Sequence, residues 1–198
     1  MGVIFVTGPA RSGKSAFGVR LAGECGLEVI YVATAAHEPE DAEWNARLSR
    51  HLRHRPSQWA TVETAPMNHD AQLALFSAAQ ASQCLLVDAL GTYMWARIRA
   101  RIELLEVNYA VLEARIDREA AELVDAMLAS PARVIAVCEQ IGWDVAPSNA
   151  AARLFRDGLG RMSQRLARSA ESAYLVVAGY AIDLRAAGIW IGGEDDPA

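Results

Sequence analysis

Eight residues near the N-terminus constrain this chain more than any others. Gly8-Pro9-Ala10-Arg11-Ser12-Gly13-Lys14-Ser15 meets every defined position of the pattern G-x-x-x-x-G-K-[ST]. It follows an apolar, β-branched run, Val3–Thr7, and opens a segment, Ser15–Gly23, with Phe17, Leu21 and Ala22 at helical spacing. The glycines let the backbone curl until its amide N–H groups face inward, beside a helix N-terminus that favours anions. Such a loop cradles phosphates. Lys14 would reach the β and γ phosphates as a compact charge, and Ser15 would offer its hydroxyl to Mg²⁺. Composition sharpens the point, because 18 of the 19 basic residues are Arg and only Lys14 is Lys. A codon bias toward Arg accounts for the other positions, but not for a single lysine placed after Gly13.

The rest of the chain alternates apolar strands with helices. Val29–Ala33, Cys84–Asp88, Val134–Cys138 and Ala173–Ala178 read as buried strands, and Gly26 ends the first helix. Pro39–His54, closed by Arg55-Pro56, and Asp70–Ala81 read as helices. Ile98, Ile102, Leu105, Tyr109, Leu112, Ile116, Leu123 and Met127 step by threes and fours through a long helical stretch. That stretch is either a helix, broken at most once, packed on the sheet, or also a seam for another subunit. Continuous apolar strands separated by helices predict an α/β fold with a mostly parallel sheet covered on both faces. With the loop, this is a P-loop NTPase-type, RecA-like arrangement. A chain of 198 residues suits one domain over residues 1–191, with a frayed tail over 192–198.

Bulk properties narrow the class. With 53% hydrophobic and 22% charged residues, the chain is neither disordered nor a rod. No apolar run reaches the roughly 20 residues of a membrane span, and the first residues lack a secretory pattern. Cys25, Cys84 and Cys138 are odd in number and far apart, which argues against a disulfide framework or a zinc site and for a reduced, cytoplasmic setting. A net charge of −5 argues against general nucleic-acid binding.

Several side chains are candidates for chemistry. Asp88, at the tip of Cys84–Asp88, suits Mg²⁺ directly or through water, or else a helix N-cap or a turn. Residues 45–55 hold Arg47, Arg50, Arg53 and Arg55 with His51 and His54, a dense cationic segment in an acidic protein. It reads as a solvated helix, or as arginines that neutralise a triphosphate while a histidine attacks it. Neutral imidazole is a competent nucleophile toward phosphorus at pH 7. His51 shares a helix face with Trp44, Arg47 and Leu48; His54 lies about 60° around the axis, and both remain candidates. His37 and His69 fall in polar connections and read as solvated. Glu139, just past a strand, suits metal or nucleotide binding and equally a turn. The scattered tryptophans read as core or rim.

These residues resemble the bifunctional adenosylcobinamide kinase/adenosylcobinamide-phosphate guanylyltransferase family of cobalamin biosynthesis. The resemblance spans about residues 3–180. It is carried by VTGPARSGKS, YVATA, ARLSRHLRHRPSQWATVE and RLFRDGLGRMSQRLARSAESAYLVVAG. The loop is common to very many proteins. The runs R-[IL]-x-x-H-x-x-x-R-P-x-x-W-x-T-x-E and R-x-F-R-D-x-x-G-x-x-N-Q are far more specific.

The resemblance implies two reactions. A nucleotide γ-phosphate from ATP or GTP goes to the hydroxyl of adenosylcobinamide, and GMP from GTP then passes through a guanylyl-histidine to the resulting phosphate. Matching through the Arg-Pro anchor puts His51 at the guanylylated position. It also puts Gly8–Ser15, Ala33, Thr34, Ala35, Leu52, Arg53, His54, Arg55, Glu63 and Asp88 around GTP, with Mg²⁺ at Ser15 and Asp88. Members are soluble and trimeric. The chain departs from the pattern at Pro9, where the family has glycine, and at Ser163, where it has asparagine. T-N-E-V-G-x-G-I-V-P becomes VCEQIGWDVAP over Val137–Pro147, and Ala89-Leu90-Gly91-Thr92 replaces a Cys-Leu-Thr pattern after Asp88. Two other classes compete. A P-loop small-molecule kinase would carry no acid-labile GMP on histidine. A nucleotide-responsive regulatory module would bind without turnover and would not need the His51 helix.

Overall fold

The computed structural model describes residues 2–36, 40–53, 55–65, 67–143, 145 and 147–191, and of residues 47, 48 and 50–53 the backbone alone. His37, Pro39, His54 and the tail from 192 to 198 lie outside the described residues. Seven strands form one sheet: β1 (Val3–Gly8), β2 (Glu28–Ala33), β3 (Ala60–Glu63), β4 (Gln83–Asp88), β5 (Arg133–Glu139), β6 (Ser172–Val177) and β7 (Tyr180–Asp183). Their spatial order is β3-β2-β4-β5-β1-β6-β7, and every pairing is parallel except β6 with β7. The five strands expected from the sequence are present within a residue or so at each end. Both edge strands were missed. Ala60–Glu63 is short and almost wholly exposed, and Tyr180–Asp183 turns back through Ala178 and Gly179 and is open to solvent. Neither has the buried face that alternating or continuous apolar residues would reveal.

The strands carry a two-sided core, as a parallel sheet demands. On one face Val6, Leu86, Ile135 and Val137 pack under α1 (Lys14–Glu24). The fit is tight: a Cβ on Gly18 would lie 2.9 Å from Val137 Cγ2. The opposite face carries Phe5, Leu85, Val87, Val134 and Ala136. It is covered by α3 (His69–Ala78), α4 (Leu90–Arg99), α6 (Tyr109–Ala129) and α7 (Ala150–Ser169). α2 (Ala42–Arg53) bridges β2 and β3, and a one-turn helix, α8 (Leu184–Ala187), follows β7.

The long helical stretch breaks twice rather than once, since a single turn, α5 (Leu104–Val107), separates α4 from α6. Asn108 starts α6 by accepting a hydrogen bond from the Val111 N–H at 3.2 Å. Ile98, Leu112, Ile116, Leu123 and Met127 are all buried within this chain, so the apolar spacing is explained by packing here; Ile102 alone of that series is about half exposed, at 47%. α7 was not foreseen as a helix, because Gly158 and Gly160 interrupt an Arg-rich segment. Gly158 nonetheless lets Met94 and Ile116 approach to within 3.6 and 3.8 Å of where a Cβ would sit.

Candidate active site

Parallel strands bring their C-terminal ends to one edge, and register decides which residues meet there. Gly8 pairs with Glu139, Ala33 pairs with both Asp88 and Glu63, and Asp88 pairs with Val137. Residues far apart in the chain thus stand within a few strand spacings of about 4.8 Å. A cavity of about 680 Å³ opens over this edge, within the range of small-molecule sites.

The phosphate loop forms one wall. Gly13 has φ 99° and Arg11 φ 59°, the left-handed turns that curl the backbone. Gly8 has no room for a side chain, because a Cβ there would lie 2.3 Å from the Val176 carbonyl oxygen. Gly179 N–H donates to the Ser12 carbonyl at 3.0 Å and ties the loop to the β6–β7 turn. Pro9 has no N–H to give a phosphate, but its carbonyl accepts from Ser12 N–H and from Lys14 Nζ, each at 3.3 Å. The Lys14 ammonium therefore rests on a neutral acceptor, which a charged phosphate oxygen would outcompete. Ala10, Arg11, Ser12, Gly13, Lys14 and Ser15 all line the cavity.

Asp88 is tied on both sides. Ser15 Oγ donates to its Oδ1 at 3.1 Å and Tyr31 Oη to its Oδ2 at 2.5 Å. Burial first, then the nearby Asp88 charge, push the Tyr31 hydroxyl far above its ordinary range, so it stays a donor. The Ser15 hydroxyl and Asp88 carboxylate are adjacent hard oxygens of the kind Mg²⁺ takes when phosphates and water complete its shell. Among the described residues no group of three or more His, Cys, Asp or Glu could hold a metal without such help.

Arg55 also lines the cavity, next to Tyr31. Its guanidinium stacks on the Tyr31 ring at 3.7 Å, while its Nε and Nη1 are buried without a hydrogen-bond partner among the described residues. A buried cation with unpaired donors is costly, and an anion entering the cavity would offset that cost. Trp44 also faces the cavity, fixed by its Nε1–H to the Ala36 carbonyl at 2.8 Å. Its own backbone N–H donates to Asp41 Oδ1 at 2.8 Å at the start of α2.

The other sequence candidates are placed as follows. Ala35 lines the cavity. Ala33 is buried just behind it, its carbonyl accepting from Thr64 N–H at 2.8 Å and Thr64 Oγ1 at 3.2 Å. Thr34 Oγ1 lies 2.5 Å from the Ala89 carbonyl and from Thr92 Oγ1, which pins β2 to the start of α4. Glu63 sits exposed at the end of β3, off the cavity wall. His51, Leu52 and Arg53 belong to the last turn of α2, where only the backbone is described; His54 lies outside the described residues. His69, expected to be solvated, is not: its side chain is 14% exposed, with Nε2 2.7 Å from Glu122 Oε2 and Nδ1 3.3 Å from Tyr93 Oη. Sequence reading missed Tyr31, Trp95 and Phe155 as cavity residues. Tyr31 looks like any buried strand residue until Asp88, 57 positions away, is brought to it.

A model of the cobinamide kinase / cobinamide phosphate guanyltransferase family matches residues 4–184. The chain belongs to this family. Among relatives, the bifunctional adenosylcobalamin biosynthesis protein CobU of Salmonella typhimurium is 34% identical over 185 residues, spanning 92% of this chain and 99% of that one. The bifunctional adenosylcobalamin biosynthesis protein CobP of Pseudomonas aeruginosa is 34% identical over 182 residues, spanning 91% and 95%. In fold, the chain is similar to a prototypical ATPase from the type III secretion system of pathogenic bacteria. That likeness has a TM-score of 0.57 at 10% identity and covers 96% of this chain and 59% of the ATPase. It supports the P-loop architecture alone.

Two of the departures from the family pattern meet in space. Cys138 stands where the family has the Asn of T-N-E, and Ser163 where it has the Asn of Asn-Gln. Cys138 Sγ lies 3.4 Å from Ser163 Oγ, so the two replacements are small side chains in contact with each other. Burial pushes the Cys138 thiol up to about 12, which keeps it protonated.

Proposed function

We propose that residues 1–191 act as one catalytic unit that phosphorylates adenosylcobinamide and then transfers GMP to the product, giving adenosylcobinamide-GDP. The observation that carries this reading is a single cavity offering two kinds of anion partner: the phosphate loop, and the Arg55 guanidinium just beyond α2, whose Nε and Nη1 have no hydrogen-bond partner among the described residues. In the first reaction the acceptor hydroxyl oxygen bonds to the γ-phosphorus of ATP or GTP, and the nucleoside diphosphate leaves. In the second, a His51 ring nitrogen bonds to the α-phosphorus of GTP and pyrophosphate leaves. An oxygen of the acceptor's phosphate then bonds to that phosphorus, and the P–N bond breaks.

The residues divide this work by charge and position. Lys14 and the inward amides of the loop orient the β and γ phosphates. Arg55, with the arginines of α2, opposes charge building at the α-phosphate. Ser15 and Asp88 would hold Mg²⁺, whose charge offsets that on the phosphate oxygens. Tyr31 keeps the Asp88 carboxylate and the Arg55 plane in fixed relation. Trp44, Trp95 and Phe155 give the cavity an aromatic side suited to a large organic acceptor. The reading also implies a cytoplasmic enzyme assembled as a homotrimer; no helix among the described residues is long and apolar enough to cross a membrane.

The test is product analysis. Purified chain with Mg²⁺, GTP and adenosylcobinamide should yield adenosylcobinamide phosphate first and adenosylcobinamide-GDP second, with one equivalent of pyrophosphate per enzyme from guanylylation and continued pyrophosphate release only as adenosylcobinamide-GDP forms. Phosphate ester alone, with no pyrophosphate, would reduce the protein to a P-loop kinase. Nucleotide binding with neither product would point to a regulatory module.

A further inference from the structure

The two reactions just proposed make different demands on protons. An imidazole nitrogen or a phosphate oxygen attacks phosphorus without giving up a proton, whereas an alcohol has to lose one. Nothing assigned so far receives it. Two carboxylates line the described cavity, Asp88 and Glu139. Asp88 is committed, with each oxygen accepting a hydrogen bond, from Ser15 and from Tyr31.

Glu139 is differently placed. It ends β5 in register with Gly8, beside the phosphate loop. One of its oxygens, Oε2, accepts from the Gly91 N–H at 2.9 Å, and besides Glu139's own backbone N–H no other described residue donates a hydrogen bond to the carboxylate. The approach to α4 is possible only because residue 91 has no side chain, since a Cβ there would lie 2.2 Å from Oε2. One helical turn beyond Gly91, Trp95 lines the same cavity and meets Phe155 edge-on at 6.1 Å. The carboxylate thus stands between the phosphate loop and the aromatic side of the cavity. Burial raises its affinity for a proton, while Lys14 pulls in the opposite direction.

We propose that Glu139 is the general base of the phosphoryl-transfer reaction. Its Oε1 takes the proton of the acceptor alcohol as that oxygen bonds to the γ-phosphorus and the β–γ bridging oxygen departs with the nucleoside diphosphate. The proton is then released to water once the products have left the cavity. The inference rests on the bifunctional reading above, and it makes Glu139 dispensable to the guanylyl steps. Gly91 is a positioning residue that holds the carboxylate through its amide.

Three rates on the purified full-length chain test this. They are phosphorylation of adenosylcobinamide, formation of covalent GMP from α-labelled GTP, and GMP transfer to preformed adenosylcobinamide phosphate. Glu139→Gln keeps the shape and an acceptor for Gly91 but takes no proton. It should lower kcat for phosphorylation by about 10²–10⁴-fold, the usual range for a general base, with KM for nucleotide unchanged. Both guanylyl rates should stay within about twofold, since neither attack releases a proton. Gly91→Ala should reproduce the selective loss by displacing the carboxylate, and Glu139→Asp should fall between. Equal loss of all three rates in Glu139→Gln would overturn the proposal in favour of a structural or metal-linked role, and an unimpaired phosphorylation rate would overturn it outright. A wild-type chain that forms covalent GMP but never phosphorylates the alcohol would instead overturn the bifunctional reading, and this inference with it.

Discussion

The phosphate loop and Arg55, just beyond the basic helix α2, both present cations to one cavity, and the two cations are held differently. The loop is locked between β1 and α1. Lys14 is buried, Ser12 is tied to Gly179, and Ser15 is tied to Asp88. α2 meets the cavity at its N-terminal end through Trp44, which Asp41 and Ala36 hold by single hydrogen bonds. Beyond its C-terminal end, Arg55 is stacked on Tyr31 with donors unpaired. A loop that grips the same triphosphate in both reactions gains from being preformed, because electrostatic stabilisation works through dipoles that need no reorganisation. On the proposed mechanism, Arg55 meets the α-phosphate only in the guanylyl steps, and donors left unpaired in the empty cavity are free to take it up then.

This contrast can be broken by exchanging the consequences of mutation. The largest effect is expected from Lys14→Met, which should lower both reactions together by about 10²–10³-fold. Loss of only one would mean the loop does not serve both. Next, Gly8→Ala places a methyl 2.3 Å from the Val176 carbonyl oxygen and 2.7 Å from Ser12 Oγ. Such overpacking should cost about 1–3 kcal/mol in denaturant unfolding. That is a fall of several degrees in Tm, and an unchanged Tm would show that the loop is not locked.

Arg55→Leu should behave in the opposite manner. Replacing a part-buried cation with two unpaired donors by an apolar side chain that can still cover Tyr31 should leave Tm nearly unchanged, while the GTP Kd rises about tenfold, or roughly 1.4 kcal/mol. A clear loss of stability would mean that the helix side is as tightly built as the loop side. The smallest effect concerns the sheet beneath the loop. Burial pushes the Cys84 and Cys138 thiols up from 9.0 to about 12. The unfolded chain therefore releases those protons near pH 9 while the folded chain keeps them, so stability should fall as pH rises from about 9 toward 12. At pH 8 a disulfide reagent should titrate no more than Cys25 rapidly, and all three thiols after denaturation. Rapid reaction of Cys138 would expose a looser sheet edge than the packing allows.

The same contrast explains what could be read from sequence. The loop, its strand and its helix were legible because their signal is local: glycines, one lysine and an apolar run in fixed order. Asp88 was legible as the polar end of Cys84–Asp88. Tyr31 was not, because its role comes from contacts with Asp88 and Arg55, each more than 20 residues away. Glu139 was visible only as an ambiguous carboxylate, since its setting depends on the β1–β5 register and on the missing side chain at Gly91. β3 and β7 escaped notice because exposed edge strands carry no hydrophobic pattern. The histidines of the basic helix were separated by the spacing of the Arg-Pro anchor in the family, not by anything the backbone of α2 shows.

The central claim is that one nucleotide, held by the loop, is attacked at its α-phosphorus by His51. The most direct measurement is to incubate the protein with Mg²⁺ and GTP labelled at the α-phosphate, separate it under denaturing, non-acidic conditions and map the label, in wild type and in His51→Asn. The account predicts acid-labile GMP on His51 in the wild type and none in the variant, with phosphorylation of adenosylcobinamide retained. Label on His54, label that survives in His51→Asn, or no covalent label on nucleotide-binding wild-type protein would contradict it.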